Sequence, residues 1–112
     1  MQNDFIVLTI SGVQQRFELH VIGTKFNKIA GLYIFVYLDA NKVWRTVYIG
    51  ETHNLDQRIG EGLKNHNSLA CINRNCATHI AICTANTFNS KALRVKAETE
   101  LRGSYPTACN LQ

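Results

Sequence analysis

Apolar residues fall into short runs with two different periods along the chain. Phe5-Ile6-Val7-Leu8-Thr9-Ile10 is rich in β-branched and aromatic residues, Ser11-Gly12 interrupts it, and the stretch from Arg16 to Ile22 alternates with Phe17, Leu19 and Val21 on one face. A hairpin is expected there. Gly23 and the polar residues Thr24 to Lys28 punctuate the chain before Leu32-Tyr33-Ile34-Phe35-Val36-Tyr37-Leu38, a further strand. Asp39-Ala40-Asn41-Lys42 has turn chemistry, and Val43 to Ile49 forms the returning strand. A turn centred between Ala40 and Asn41 pairs residues whose numbers sum to 81. That register sets Tyr33 opposite Tyr48, with both phenols on one face.

The period changes after Gly50. Asn54 is an N-cap candidate with Gln57 at the third helical position, which approximates a capping box. Leu55, Ile59 and Leu63 recur every four residues as a buried stripe, with Arg58 beside it. Residues 65–75 read as a polar connection carrying two cysteines, and Thr78 to Thr84 as a strand. Ser90 can cap a last helix from Lys91 to about Leu101, with Leu93, Ala97 and Leu101 on its apolar face and Gly103 to stop it. The order ββ, ββ, α, β, α predicts an α+β fold: a small mixed or antiparallel β-sheet flanked by helices, with an extra amino-terminal hairpin.

Composition narrows the function classes. With 112 residues, 46% of them hydrophobic and 18% charged, the chain has room for one core, so a single domain over residues 1–112 is expected and a two-domain enzyme is excluded. A single Pro and 7 Gly are far from a disordered composition. The start Met1-Gln2-Asn3-Asp4 lacks a basic leader and no apolar run approaches the roughly 18 residues of a membrane span, so a soluble, cytoplasmic protein without a membrane partner is expected. The formal charge, 12 − 8 = +4, suits a polyanionic partner but is small for a surface that tracks DNA unaided. Four cysteines at 71, 76, 83 and 109 are expected as thiols rather than as a disulfide framework. Cys71, Cys76, His79 and Cys83 include zinc-ligand types, yet no C-x₂-C pair is present and strand alternation accounts for Cys83 as a small buried residue.

Gly31-Leu32-Tyr33, Tyr48-Ile49-Gly50, Thr52, Asn54-Leu55, Arg58, Glu98, Pro106 and Asn110 follow one another in the order and spacing of the GIY-YIG nuclease family, which residues 31–110 resemble. The resemblance implies a family core over residues 29–112, preceded by a hairpin extension over residues 1–24. It also implies a DNA endonuclease that depends on one divalent ion, Mg²⁺ or Mn²⁺. In that reading Glu98 is the metal ligand, Tyr33 the general base or water-orienting group, and Tyr48 a second contact to phosphate or water. Arg58 clamps the scissile phosphate and Asn110 steadies the site. Thr52, His53, Asn54 and His66 are weaker candidates for contact with phosphate or DNA.

The residue types suit the chemistry. A lone carboxylate is a poor all-protein cage but a good anchor for Mg²⁺, which keeps several waters and takes phosphate oxygens as ligands. A guanidinium is always charged and matches phosphate bidentately. Phenols with an ordinary pKa near 10 are poor bases unless cations stabilise the phenolate. Glu100 competes with Glu98 for the ligand role, but a two-residue step turns roughly 200° around a helix, so only one can face the site.

Three departures stand out. Leu32 replaces the isoleucine of the signature. Gly62 occupies the place where many relatives carry a histidine, and His66 follows eight residues after Arg58; an inserted turn over residues 60–63 would return His66 to the same side. The amino-terminal hairpin lies outside the family core and is expected to add strands to the sheet or to form a partner surface. Repair, restriction, mobile-element and branched-DNA roles all occur in the resembling family. Targeting would then come from the loop over residues 65–75, the amino-terminal hairpin, a homodimer partner or another protein. The alternative is a non-catalytic nucleic-acid-binding module that keeps the scaffold.

Overall fold

The computed structural model describes residues 4–110; the outermost ends of the expected hairpin and core, residues 1–3 and 111–112, lie outside the described residues. Strand β1 (Phe5–Ile10) turns at Ser11-Gly12 into β2 (Val13–Val21). Both turn residues have positive φ, 51° and 78°, the pairing a two-residue hairpin turn requires and the reason a glycine follows Ser11. Strand β3 (Gly31–Leu38) pairs with β4 (Trp44–Thr52), and β5 (His79–Cys83) is inserted between β2 and β3. The result is a five-stranded sheet, β1-β2-β5-β3-β4, in which every neighbouring pair is antiparallel. The amino-terminal hairpin therefore adds strands to the sheet, as one of its two expected roles has it.

Both faces of the sheet are covered, which is why β3 reads as a continuous apolar run rather than an alternating one. On one face Leu8, Ile10, Phe17, Leu32, Ile34, Val36 and Ile49 pack against Phe88 and helix α3 (Lys91–Ser104). On the other, Tyr33, Phe35, Tyr48 and Ile80 pack against α1 (Leu55–Ile59) and α2 (Leu69–Arg74). None of the described helices is long and apolar enough to cross a membrane.

Several local expectations need correction. The β3–β4 register is displaced by two: Tyr33 faces Gly50 and Phe35 faces Tyr48, with Val47 as an extra residue in a bulge. The turn holds five residues, 39–43, because Asp39 accepts from the N–H groups of Asn41 and Val43 and ties the loop together. A two-residue slip keeps side chains on their face, so the two phenols still point the same way. Residues 69–74 of the expected connection are helical. Helix α1 stops at Ile59, and Leu63 lies in a separate 3₁₀ turn (Glu61–Asn65). Helix α3 runs through Gly103, and its buried positions are Arg94, Ala97 and Leu101, with Leu93 exposed. The four cysteines are not all thiols, since Cys71 is bonded to Cys109.

Candidate active site

Tyr33 and Tyr48 project from adjacent strands onto the face covered by α1 and α2, with rings stacked at 5.9 Å and 20°. Gly50, opposite Tyr33, makes room for this: a Cβ there would clash with the hydroxyl end of the Tyr33 ring. The glycine of Tyr48-Ile49-Gly50 is thus set by close approach of a ring to the backbone. Asn54 caps α1, its side chain accepting from the Gln57 N–H at 3.1 Å. That short helix delivers Arg58 beside the phenols. Arg58 Nε donates to the Tyr33 hydroxyl at 3.4 Å, and its Nη2 donates to Asn67 at 2.8 Å.

His66 completes the cluster, reaching it through the break at Gly60 and the 3₁₀ turn rather than along a continuous helix. Its Nδ1 accepts from the Ser68 N–H at 3.0 Å, so a neutral ring carries its proton on Nε2, which donates to the Tyr33 hydroxyl at 2.9 Å. Burial, reinforced by the Arg58 charge, lowers the His66 pKa to about 4 and keeps the ring neutral. The Tyr33 oxygen therefore receives two N–H donors. Burial, and after it Tyr48, raise the Tyr33 phenol above its ordinary 10, and Arg58 offsets only part of this.

Glu98 and Asn110 approach from the outer edge of β4, whose backbone groups there are taken up in turn. The Val47 carbonyl accepts from the Cys109 N–H, and the Asn110 amide both accepts from the Ile49 N–H at 2.8 Å and donates to the Ile49 carbonyl at 3.0 Å. Arg102 donates to that same carbonyl, lies over the Tyr48 ring at 5.8 Å, and stands 3.5 Å from Glu98. Burial raises the Glu98 pKa; Arg102 opposes, Glu51 adds to it, and the Glu51 backbone N–H and Lys91 pull it back down. Glu100 points elsewhere, accepting from the backbone and hydroxyl of Ser11 at the hairpin turn. Asn110 is thus a clamp on the backbone beside Tyr48, and Glu98 a half-buried carboxylate at the strand's end.

The weaker candidates divide. Thr52 is bonded to the backbone of Asn54, and Asn54 is occupied as the cap, so both build the turn before α1. His53 is exposed and lines a cleft of about 420 Å³ together with Gln57, Arg58, Asn65 and Lys91. A larger cleft of about 560 Å³ lies on the opposite face, bounded by Ile6, Leu8, Val36, Trp44 and Tyr105; its cation, Arg45, is paired with Asp39 at 2.7 Å. Among the described residues no group of three or more His, Cys, Asp or Glu side chains is placed to hold a metal ion, and the cysteines considered for zinc are dispersed, Cys83 buried and Cys76 exposed. Glu98 alone fits an ion that takes its other ligands from water and substrate: its carboxylate is desolvated and repelled by Glu51, two costs that a cation relieves.

Sequence reasoning missed Arg94, Arg102, Asn67 and Ser68. Arg94 is buried and joins Glu51 at 2.9 Å while donating to the carbonyls of Phe88 and Asn89. The signal was present, since Arg94, Ala97 and Leu101 share the 3–4 spacing of one helix face.

A family model described as the GIY-YIG catalytic domain matches residues 29–107. No curated protein and no solved structure gives a significant match to the chain.

Proposed function

Because the chain belongs to the GIY-YIG catalytic-domain family, a nuclease family, we propose that it is a working endonuclease that hydrolyses DNA phosphodiesters with one divalent ion, Mg²⁺ or Mn²⁺, held by Glu98. The observation that carries this reading is the Tyr33 hydroxyl, whose oxygen accepts from His66 and from Arg58 at once. With its lone pairs engaged by those donors, the buried phenol keeps its own O–H to donate, and Tyr48 is the neighbouring side chain that meets it. The same two N–H groups stabilise the phenolate, and it is in that form that Tyr33 takes the proton of an attacking water. Arg58 is anchored through Asn67, which limits rotation of the guanidinium and leaves it poised for a phosphate.

Tyr48 stacks alongside Tyr33, and Asn110 with Arg102 fixes the backbone that carries it. The ion, when bound, supplies Lewis-acid stabilisation of the phosphate and the leaving oxygen. Purified protein and its Glu98→Ala variant are compared on plasmid with Mg²⁺ or Mn²⁺. Nicking by the wild type alone is expected, reduced at least a hundredfold in the variant. Equal nicking by both, or none on any DNA form, sinks the assignment.

A second reading, a non-catalytic nucleic-acid-binding module, draws support from the Tyr33 phenol being held protonated in the protein itself. DNA binding that survives metal removal and loss of Glu98, without cleavage, selects it.

A further inference from the structure

The Cys71–Cys109 bond joins two segments that each border the proposed site. On one side, His66, Asn67 and Ser68 hold Tyr33 and Arg58 immediately before α2, which carries Cys71. On the other, Asn110 follows Cys109 directly, and the pair of residues binds the β4 backbone at Val47 and Ile49, on either side of Tyr48. The two sulfurs differ in access: Cys109 is fully enclosed, whereas Cys71 is half-buried. A third residue serves both. The Asn75 side-chain nitrogen, steadied by the Cys71 carbonyl at 2.8 Å, lies 3.5 Å from each sulfur. An N–H donor aimed at a sulfur stabilises its thiolate and makes it a better leaving group. A bond that only stapled the chain has no need of that donor.

We propose that Cys71–Cys109 is a thiol-exchange site whose opening by small-molecule thiols, glutathione being the representative, slackens the clamp on β4 and slows the enzyme. The effect on rate rests on the nuclease reading; the exchange and the clamp do not. In the first step a thiolate attacks Cys71 Sγ; an S–S bond forms to the attacking sulfur as the Cys71–Cys109 bond breaks, and the electron pair leaves on Cys109 Sγ against the Asn75 amide. A second thiolate then attacks the outer sulfur of the adduct and releases Cys71. Two small thiols are oxidised to their disulfide, two electrons enter the protein, and solvent protonates both cysteines.

The test equilibrates the full chain, in a Cys76→Ser background that removes the exposed thiol, with glutathione buffers of graded reduced-to-oxidised ratio. Adducts are mapped by mass, exchange of the Ile49 amide is followed by NMR, and plasmid nicking is timed. Expected are a mixed disulfide on Cys71, exchange at Ile49 at least tenfold faster in the reduced protein, and nicking at least fivefold slower. Cys71→Ser is expected to hold the reduced values in every buffer, with Cys109→Ala in its place where the serine variant does not fold. Asn75→Ala is expected to slow the approach to equilibrium about tenfold. Ile49 exchange that is constant across the series, or an adduct on Cys109 in place of Cys71, overturns the proposal. Exchange at the wild-type rate in Asn75→Ala overturns the leaving-group role. If neither redox state nicks any DNA, the nuclease reading fails and the Ile49 amide alone decides the clamp.

Discussion

Both ring nitrogens of His66 are committed, Nδ1 to the Ser68 N–H and Nε2 to the Tyr33 hydroxyl, so a second proton on the ring places two N–H groups nose to nose at Ser68. The folded pKa, about 4, lies below the ordinary 6.5. Between those values the unfolded chain binds a proton that the folded chain does not, and stability falls as the pH drops from 6.5 towards 4. At about 1.4 kcal/mol per unit of separation, the loss is on the order of 2–3 kcal/mol at pH 4. Carboxylates contribute to any acid slope, so the informative quantity is the difference between wild type and His66→Phe in urea unfolding, which is expected to narrow by that amount between pH 7 and 4. A constant difference shows that His66 does not titrate as the geometry requires. His66 was legible only as a candidate, because its route into the site depends on where α1 breaks. Gly50 was legible as part of a motif, and its physical reason depends on the register that faces it with Tyr33.

Elements were legible where capping and alternation agree, as in the β1–β2 hairpin and the Asn54 and Ser90 caps, both of which accept the expected N–H. They were less legible where a side chain outside the element decides the outcome. Asp39 lengthens the β3–β4 turn, a bulge adds Val47, and α2, with six residues, is too short for a periodic signal. Helix α3 is the case with a consequence. Its inward face carries a cation, Arg94, paired with Glu51 at the end of β4 and bonded to the carbonyls of Phe88 and Asn89. One side chain thus fastens α3, β4 and the preceding 3₁₀ turn (Asn86–Asn89) around the backbone that faces Glu98. Arg94→Met leaves Glu51 desolvated without its partner and is expected to cost about 3–5 kcal/mol in urea unfolding. Adding Glu51→Gln is expected to restore at least a third of the loss by removing the stranded charge. A double variant no better than the single one places the cost in the Phe88 and Asn89 bonds instead.

At the scale of the molecule, the family match begins at residue 29 and ends at 107, yet the chain is bound together beyond both limits. Phe17, on β2, is fully buried in the core shared with Leu32 and Ile34, and Cys109 fills the opposite core. The pairing of Cys71 with Cys109 was not legible in advance, since it depends on α2 forming and on the carboxyl-terminal segment folding back along β4. Its closure of a loop with a sequence separation of 38 restricts the unfolded chain, and loop entropy alone puts the gain at about 4 kcal/mol, an upper figure that native-state relaxation reduces to roughly 2–4. For a domain of this size that corresponds to a fall in Tm of roughly 10–20 °C on reduction. Scanning calorimetry with and without a dithiol reductant measures it, with Cys71→Ser as the variant on which reductant has no effect. The pattern of loss separates two possibilities. If the bond acts only through the unfolded chain, the Tm falls while exchange at Ile49 under native conditions is unchanged. If it also clamps Asn110, both change together, and the local opening at Ile49 accelerates at temperatures well below the melt.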